Sequence, residues 1–162
     1  MNAIVKTIAL ALLFCSFSSF YACSAEENQE KIYVEKPASQ YVLEDEVLEL
    51  INEYRISQNL NALEKFELAT LEANRHNGHM IEMNEVCHHF FGNRERELKN
   101  NNAIAVGENV AYGFYTAEGV VKAWLESPSH KKNIEGDFTA SGISASNDED
   151  GNLYYTHIFV KK

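Results

Sequence analysis

The chemistry-bearing side chains begin with six histidines, His76, His79, His88, His89, His130 and His157, four of them within residues 76–89. A zinc ion needs three or four ligands converging tetrahedrally, often with two supplied by one local motif. His76 and His79 are three residues apart on a helical pattern, but no zinc signature surrounds them. His76 falls on the apolar stripe of that pattern and reads as a hydrogen-bonded core histidine. His79 lies about 60° off the stripe and reads as partly exposed. Gly107-Glu108-Asn109 is more informative, because it stands between the apolar run 103–106 and Val110-Ala111-Tyr112-Gly113. An unpaired carboxylate is costly to bury in such a setting. Glu108 is therefore expected to meet a cation, a histidine or backbone N–H groups. Ser127-Pro128-Ser129-His130 brings another histidine 22 residues after Glu108, and Asn133-Ile134 follows.

Several elements must position these groups. Leu43, Val47, Leu50, Ile51 and Tyr54 recur at helical spacing and predict an amphipathic helix over 43–57. A polar break at 59–61 precedes a second helix over 67–83, whose stripe is Ala69, Ala73, His76, Met80 and Met83. Thr116 caps a third helix over 117–127 carrying Val120, Val121, Trp124 and Leu125, which Pro128 stops. Residues 139–146 and 153–160 alternate like strands about an Asp148-Glu149-Asp150-Gly151 turn. Helices first and strands last predict an α+β layered domain.

Composition narrows the partners. The chain has 162 residues, enough for about one domain, and its 45% apolar and 23% charged residues are ordinary for a globular protein. With 14 Lys+Arg against 24 Asp+Glu, its formal charge is −10. That balance argues against a nucleic-acid binder, which needs clustered cations, and against adsorption to anionic lipid. Three cysteines are too few for a disulfide-dense scaffold.

The front end reads as an export signal. One cation, Lys6, precedes the apolar run 7–14, and small residues at 22–25 give way to the polar stretch 26–30. A membrane span needs about 20 apolar residues, and Ser16, Ser18 and Ser19 dilute this run. Two processing sites fit. Cutting after Ala25 satisfies a small-x-small preference. Alternatively, Ala22-Cys23 is similar to a bacterial lipoprotein site, whose cysteine becomes acylated. The expected division is a signal peptide at 1–22, a polar tether at 23–40 and a folded domain at 41–162. Localisation is then extracellular or in the cell envelope, either secreted or periplasmic, or held through acylated Cys23. In the processed chain Cys87 is the only free thiol of the folded domain. A cysteine nucleophile needs a base held beside it, and mere adjacency to His88 does not supply that geometry.

The run 107–144, GENVAYGFYTAEGVVKAWLESPSHKKNIEGDFTASGIS, resembles the core of the CAP superfamily, the cysteine-rich secretory, antigen-5 and pathogenesis-related proteins. The small bacterial branch of that superfamily has GEN, an AYG-type segment, V-V-x-x-W, S-P-x-H-x-x-N-I and a late Y-x-T-x-x-F strand in this order. Here the last is Tyr154-Tyr155-Thr156-His157-Ile158-Phe159, while Leu50-Ile51-Asn52-Glu53-Tyr54-Arg55 resembles the first helix and Cys87-His88 the S-H element. The resemblance spans about 43–162 and implies a three-layer α-β-α sandwich with a cleft of histidines and acids. Residue by residue, it implies that His88 and His130 are the two cleft histidines and Glu108 the cleft glutamate.

Some positions depart from the superfamily pattern. Animal and plant members carry a second glutamate three residues after the tryptophan, where this chain has Ser127. Glu126 is one position away, about 100° round the helix. His157 stands where relatives commonly carry Gln, His89 where bacterial ones often carry Asp, and Cys87 where Ser is usual. His89 is assigned to the surface, and Cys87 is read as a small packed side chain. His88 and His130 could hold zinc or another divalent cation through neutral imidazole nitrogens, with Glu108 fixing a tautomer or acting as a base on bound water. His157 would join them only if it faces the cleft. The favoured expectation is an exported binding module for a lipid, small-molecule or protein ligand. The alternatives are a metal-assisted peptidase or esterase using His88, Glu108 and His130, and a structural envelope lipoprotein.

Overall fold

The run 153–160 is a strand buried along its whole length, and the architecture is built around it. The computed structural model describes Tyr33 and residues 35–162, so the expected signal and most of the expected tether lie outside the described residues. In chain order the elements are α1 (Ala38–Ser57), β1 (Glu64–Lys65), α2 (Glu67–Met83), α3 (Phe91–Asn100), β2 (Ala105–Tyr112), α4 (Ala117–Glu126), α5 (Pro128–Ile134), β3 (Ala140–Asn147) and β4 (Leu153–Lys161). The sheet order is β1-β3-β4-β2, with β4 antiparallel to both neighbours and β1 parallel to β3.

Strand alternation sends successive side chains of β4 into different layers. Tyr155 and Phe159 join Val47, Ile51, Val120, Trp124 and Ile134 beneath α1, α4 and α5. Ile158 and Val160 join Ala69, Ala73 and Leu98 beneath α2 and α3. The result is the expected α+β, three-layer α-β-α sandwich. Helix α2 lies so close on the sheet that a Cβ at Gly142 would fall 2.0 Å from the Thr70 nitrogen, so this position admits only glycine.

Several boundaries differ from expectation. Helix α1 starts at Ala38 rather than at 43. The end of the expected tether is packed: Lys36 is ion-paired with buried Glu44 and donates to Ser144 Oγ at 3.0 Å, and Gln40 is buried. Glu44 in turn accepts the Ala145 N–H at 2.6 Å, which ties the first turns of α1 to β3. Pro128 does end α4, but it also opens α5 at a position where its missing N–H costs nothing. His130, just past the end of α4, therefore sits in the first turn of a short helix. Strand β2 and helix α3 are not among the elements that periodicity predicts. Gly107, Glu108 and Asn109 are poor strand formers, and α3 buries only Arg94 and Leu98.

His157 belongs to the α1-α4 layer, its ring 4.2 Å from Phe159 and 6.0 Å from Trp124 by centroid. It is fully buried with neither ring nitrogen hydrogen-bonded. Burial, helped by the charge of Arg55, pushes its pKa down from 6.5 to about 3. An unfolded chain takes up this proton as pH falls below 6.5 and the native chain does not, so stability is lost progressively from there toward about 3. Urea denaturation from about pH 7 to about pH 5 is therefore expected to show a shallower loss in His157→Gln. The slopes should differ by up to about 1.4 kcal/mol per pH unit; equal slopes would contradict a buried neutral His157.

Candidate functional site

Glu108 supplies the charge around which the site forms. In β2 it pairs with Ile158, so its side chain faces the α2-α3 layer, where it is 2% exposed. Arg94, one turn into α3, grips both carboxylate oxygens, Nε to Oε2 and Nη2 to Oε1, each at 2.8 Å. His88 Nδ1 meets Oε1 at 2.8 Å, and His76 Nε2 stands 4.0 Å away. Burial alone would raise the Glu108 carboxyl. Hydrogen bonds from His88 and Arg94, with the guanidinium charge, outweigh it and hold the group below its ordinary value.

The segment carrying His88 is pinned by its own carbonyls. His76 Nε2 lies 2.8 Å from the Cys87 oxygen, and Arg94 Nη1 donates to the His89 oxygen at 2.7 Å. Asn84 and Phe90, both left-handed with φ of 49° and 59°, turn the chain into and out of it. Desolvation is the largest influence on His76 and lowers its pKa to about 4, so it is a neutral core histidine at physiological pH.

Helix α5 is fastened to the other side of β2. Asn133 donates to the Glu108 carbonyl at 3.0 Å and to Asn109 Oδ1 at 2.8 Å, and Asn109 donates to the His130 carbonyl at 3.0 Å. A Cβ at Gly107 would meet Asn133 Oδ1 and the Phe138 ring at 3.1 Å, so glycine here gives the asparagine its approach. Buried Arg55 closes the other end of α5, donating to the carbonyls of Ile134 at 2.6 Å, Gly136 at 3.0 Å and Phe138 at 3.1 Å. His130 is thereby set close enough to His88 to feel its charge. Burial first, and that charge second, lower the His130 pKa.

The structure thus brings His88 and Glu108 into contact, with His130 nearby. It does not bring in Glu126, which is exposed beside Lys122 in an open groove of about 540 Å³ between α1 and α4. His157 lies on the opposite face of the sheet from Glu108 and is likewise excluded. Cys87 is buried and His89 exposed, as read from the sequence. Arg94 went unread as a site residue. The available signals were the requirement that Glu108 meet a cation and the four-residue spacing of Arg94 and Leu98 on one face of a polar helix. Asn109 and Asn133 were visible as motif letters, but their cross-link appears only when β2 lies beside α5.

The sequence profile of the cysteine-rich secretory protein family, CAP, matches residues 48–160. The chain belongs to this family. Among related sequences, Bacillus subtilis YkwD is 34% identical over 112 residues, covering 66% of this chain but only 44% of YkwD. Among solved structures, an outer surface protein from Borrelia burgdorferi superposes with a TM-score of 0.67 at 24% identity, covering 82% of this chain and 98% of that one. An extracellular protein containing an SCP domain from Bacillus anthracis gives a TM-score of 0.65 at 23% identity, over 81% of this chain and 45% of that one. These likenesses establish the CAP fold.

Removing one partner of a buried ion pair typically costs about 3–5 kcal/mol. Arg94→Ala is expected to lose an amount of this order in urea denaturation, whereas Lys122→Ala at the exposed Glu126 pair should leave stability unchanged. Equal effects would contradict the assignment of Glu108 as a buried, compensated charge.

Proposed function

We propose that this CAP-domain chain is an exported binding module whose recognition groups are His88 and His130, with Glu108 as their anchor. The supporting observation is the occupancy of the Glu108 carboxylate: both oxygens are held, one by Arg94 and the other by Arg94 and His88. A general base must be free to take a proton and works best with a pKa near the working pH. Glu108 already accepts three hydrogen bonds, and its pKa is depressed rather than raised. Its bond to His88 Nδ1 instead orients the imidazole and leaves Nε2 to a ligand.

Two imidazoles, one backed by a carboxylate, suit a weakly held divalent ion such as zinc. When bound there, zinc would supply a Lewis-acidic position to which a ligand oxygen or nitrogen exchanges. Without metal, the same nitrogens are hydrogen-bonding groups for a small molecule or for the surface of a partner. Export is supported by the signal-like pattern over 1–25. Two fold relatives carry names that place them outside the cell: one is an outer surface protein and the other an extracellular protein. No helix among the described residues is long and apolar enough to cross a membrane.

Zinc added to the purified chain should shift the imidazole NMR resonances of His88 and His130 together, and His88→Ala should abolish the shift at His130. A peptide and ester library should show no turnover that depends on Glu108. Turnover lost in Glu108→Gln, with the circular dichroism spectrum unchanged, would replace the binding module with a hydrolase.

A further inference from the structure

Beyond Glu108, the pinned segment 84–90 and the end of α2 bring a different set of donors together. His79, Cys87 and His89 each present one ligand atom, and these three atoms lie within 4.8 Å of one another. They come from two parts of the chain: His79 from the last turns of α2, Cys87 and His89 from the segment fixed through its carbonyls by His76 and Arg94. His79 Nε2 is buried without a hydrogen-bond partner, an arrangement that costs free energy unless something occupies it. Cys87 is a free, buried thiol, and His89 stands at the surface, its ring centroid 5.9 Å from that of His79.

We propose that His79, Cys87 and His89 form a transition-metal site of the zinc class, separate from the His88-His130 pair. One sulfur and two imidazole nitrogens are a ligand set that favours zinc and its neighbours over calcium or magnesium. Donors about 2.0–2.3 Å from a tetrahedral zinc stand roughly 3.3–3.6 Å apart. The present separations, all within 4.8 Å, therefore have to close by no more than about 1.5 Å. Three protein ligands leave the fourth position to water on the His89 side. Coordination exchanges the thiol proton for the metal, the proton passing to solvent, and no electron is transferred. Because Cys87 and His89 flank His88, metal here would also stiffen the segment that carries the recognition histidine.

Cobalt(II) is the probe, since thiolate coordination to cobalt gives a near-ultraviolet charge-transfer band that imidazole coordination does not. The full chain, purified under reducing conditions, is expected to develop this band at one cobalt per chain and to lose it when zinc is added. Cys87→Ser should abolish the band, which separates Cys87 from Cys15 and Cys23. His89→Ala should strongly weaken or abolish it, while His88→Ala should leave it intact. If Cys87→Ser fails to fold, the surface variant His89→Ala decides. No band, a band that survives both Cys87→Ser and His89→Ala, or cobalt binding that responds only to His88→Ala would each overturn the proposal. The last outcome would leave the His88-His130 reading standing, so the two sites are tested independently.

Discussion

A full negative charge on a buried strand is the constraint on which this molecule is organised. Glu108 lies in the sheet with its carboxylate turned into the α2-α3 layer, where solvation by water is replaced by one guanidinium and one imidazole. Such a charge is tolerable only with hydrogen bonds to both oxygens. That requirement accounts for the placement of α3, whose surface is otherwise polar and whose buried side chains are Arg94 and Leu98. It also accounts for the path of 84–90, because the same arginine that neutralises Glu108 holds the His89 carbonyl. The segment bearing His88 is therefore tied to the ion pair through its carbonyl, while Cys87 packs it against Met80, Val110 and Tyr154.

Similar polar ties hold the rest of the sandwich. Arg55 gathers the carbonyls after α5, Asn109 and Asn133 join α5 to β2, and Glu44 with Lys36 joins α1 to β3. In a family named for cysteine richness, the thiol among the described residues, Cys87, is free. The work that cross-links do elsewhere falls here to apolar packing against both faces of β4 and to these buried networks. Each network leaves few polar atoms unanswered, and the exceptions are concentrated on histidines. His76 Nδ1 and His79 Nε2 lie near the end of α2, and both nitrogens of His157 lie in the opposite layer.

Much of the fold was legible because its strongest signals are periodic. The stripe of Val47 and Ile51, the Val120-Val121-Trp124 face, and the alternation through 153–160 all report burial directly. The ordered motifs from Gly107 to Phe159 carried the layer arrangement. What could not be read was local structure without a periodic apolar signal. Helix α3 has one buried leucine, β2 carries three weak strand formers, Gly107 to Asn109, in its middle, and α5 begins at a proline that marks a stop as readily as a start. The same limit governed the site. Glu108 could be identified as a group needing a cation, but its partner, 14 residues upstream, is defined by a contact between a helix and a strand. The face occupied by His157 depends on strand register, which places it opposite Asn109 and away from Glu108.

In the proposed function Glu108 is an anchor, because it contacts His88 and is itself held by Arg94. The most direct measurement is a double-mutant cycle on stability with Arg94→Met and Glu108→Leu. Each single variant strands one buried charge and should be strongly destabilised, while the double variant, having neither, should regain most of the loss. Losses that simply add, with no recovery in the double variant, would contradict the claim that this ion pair organises the site.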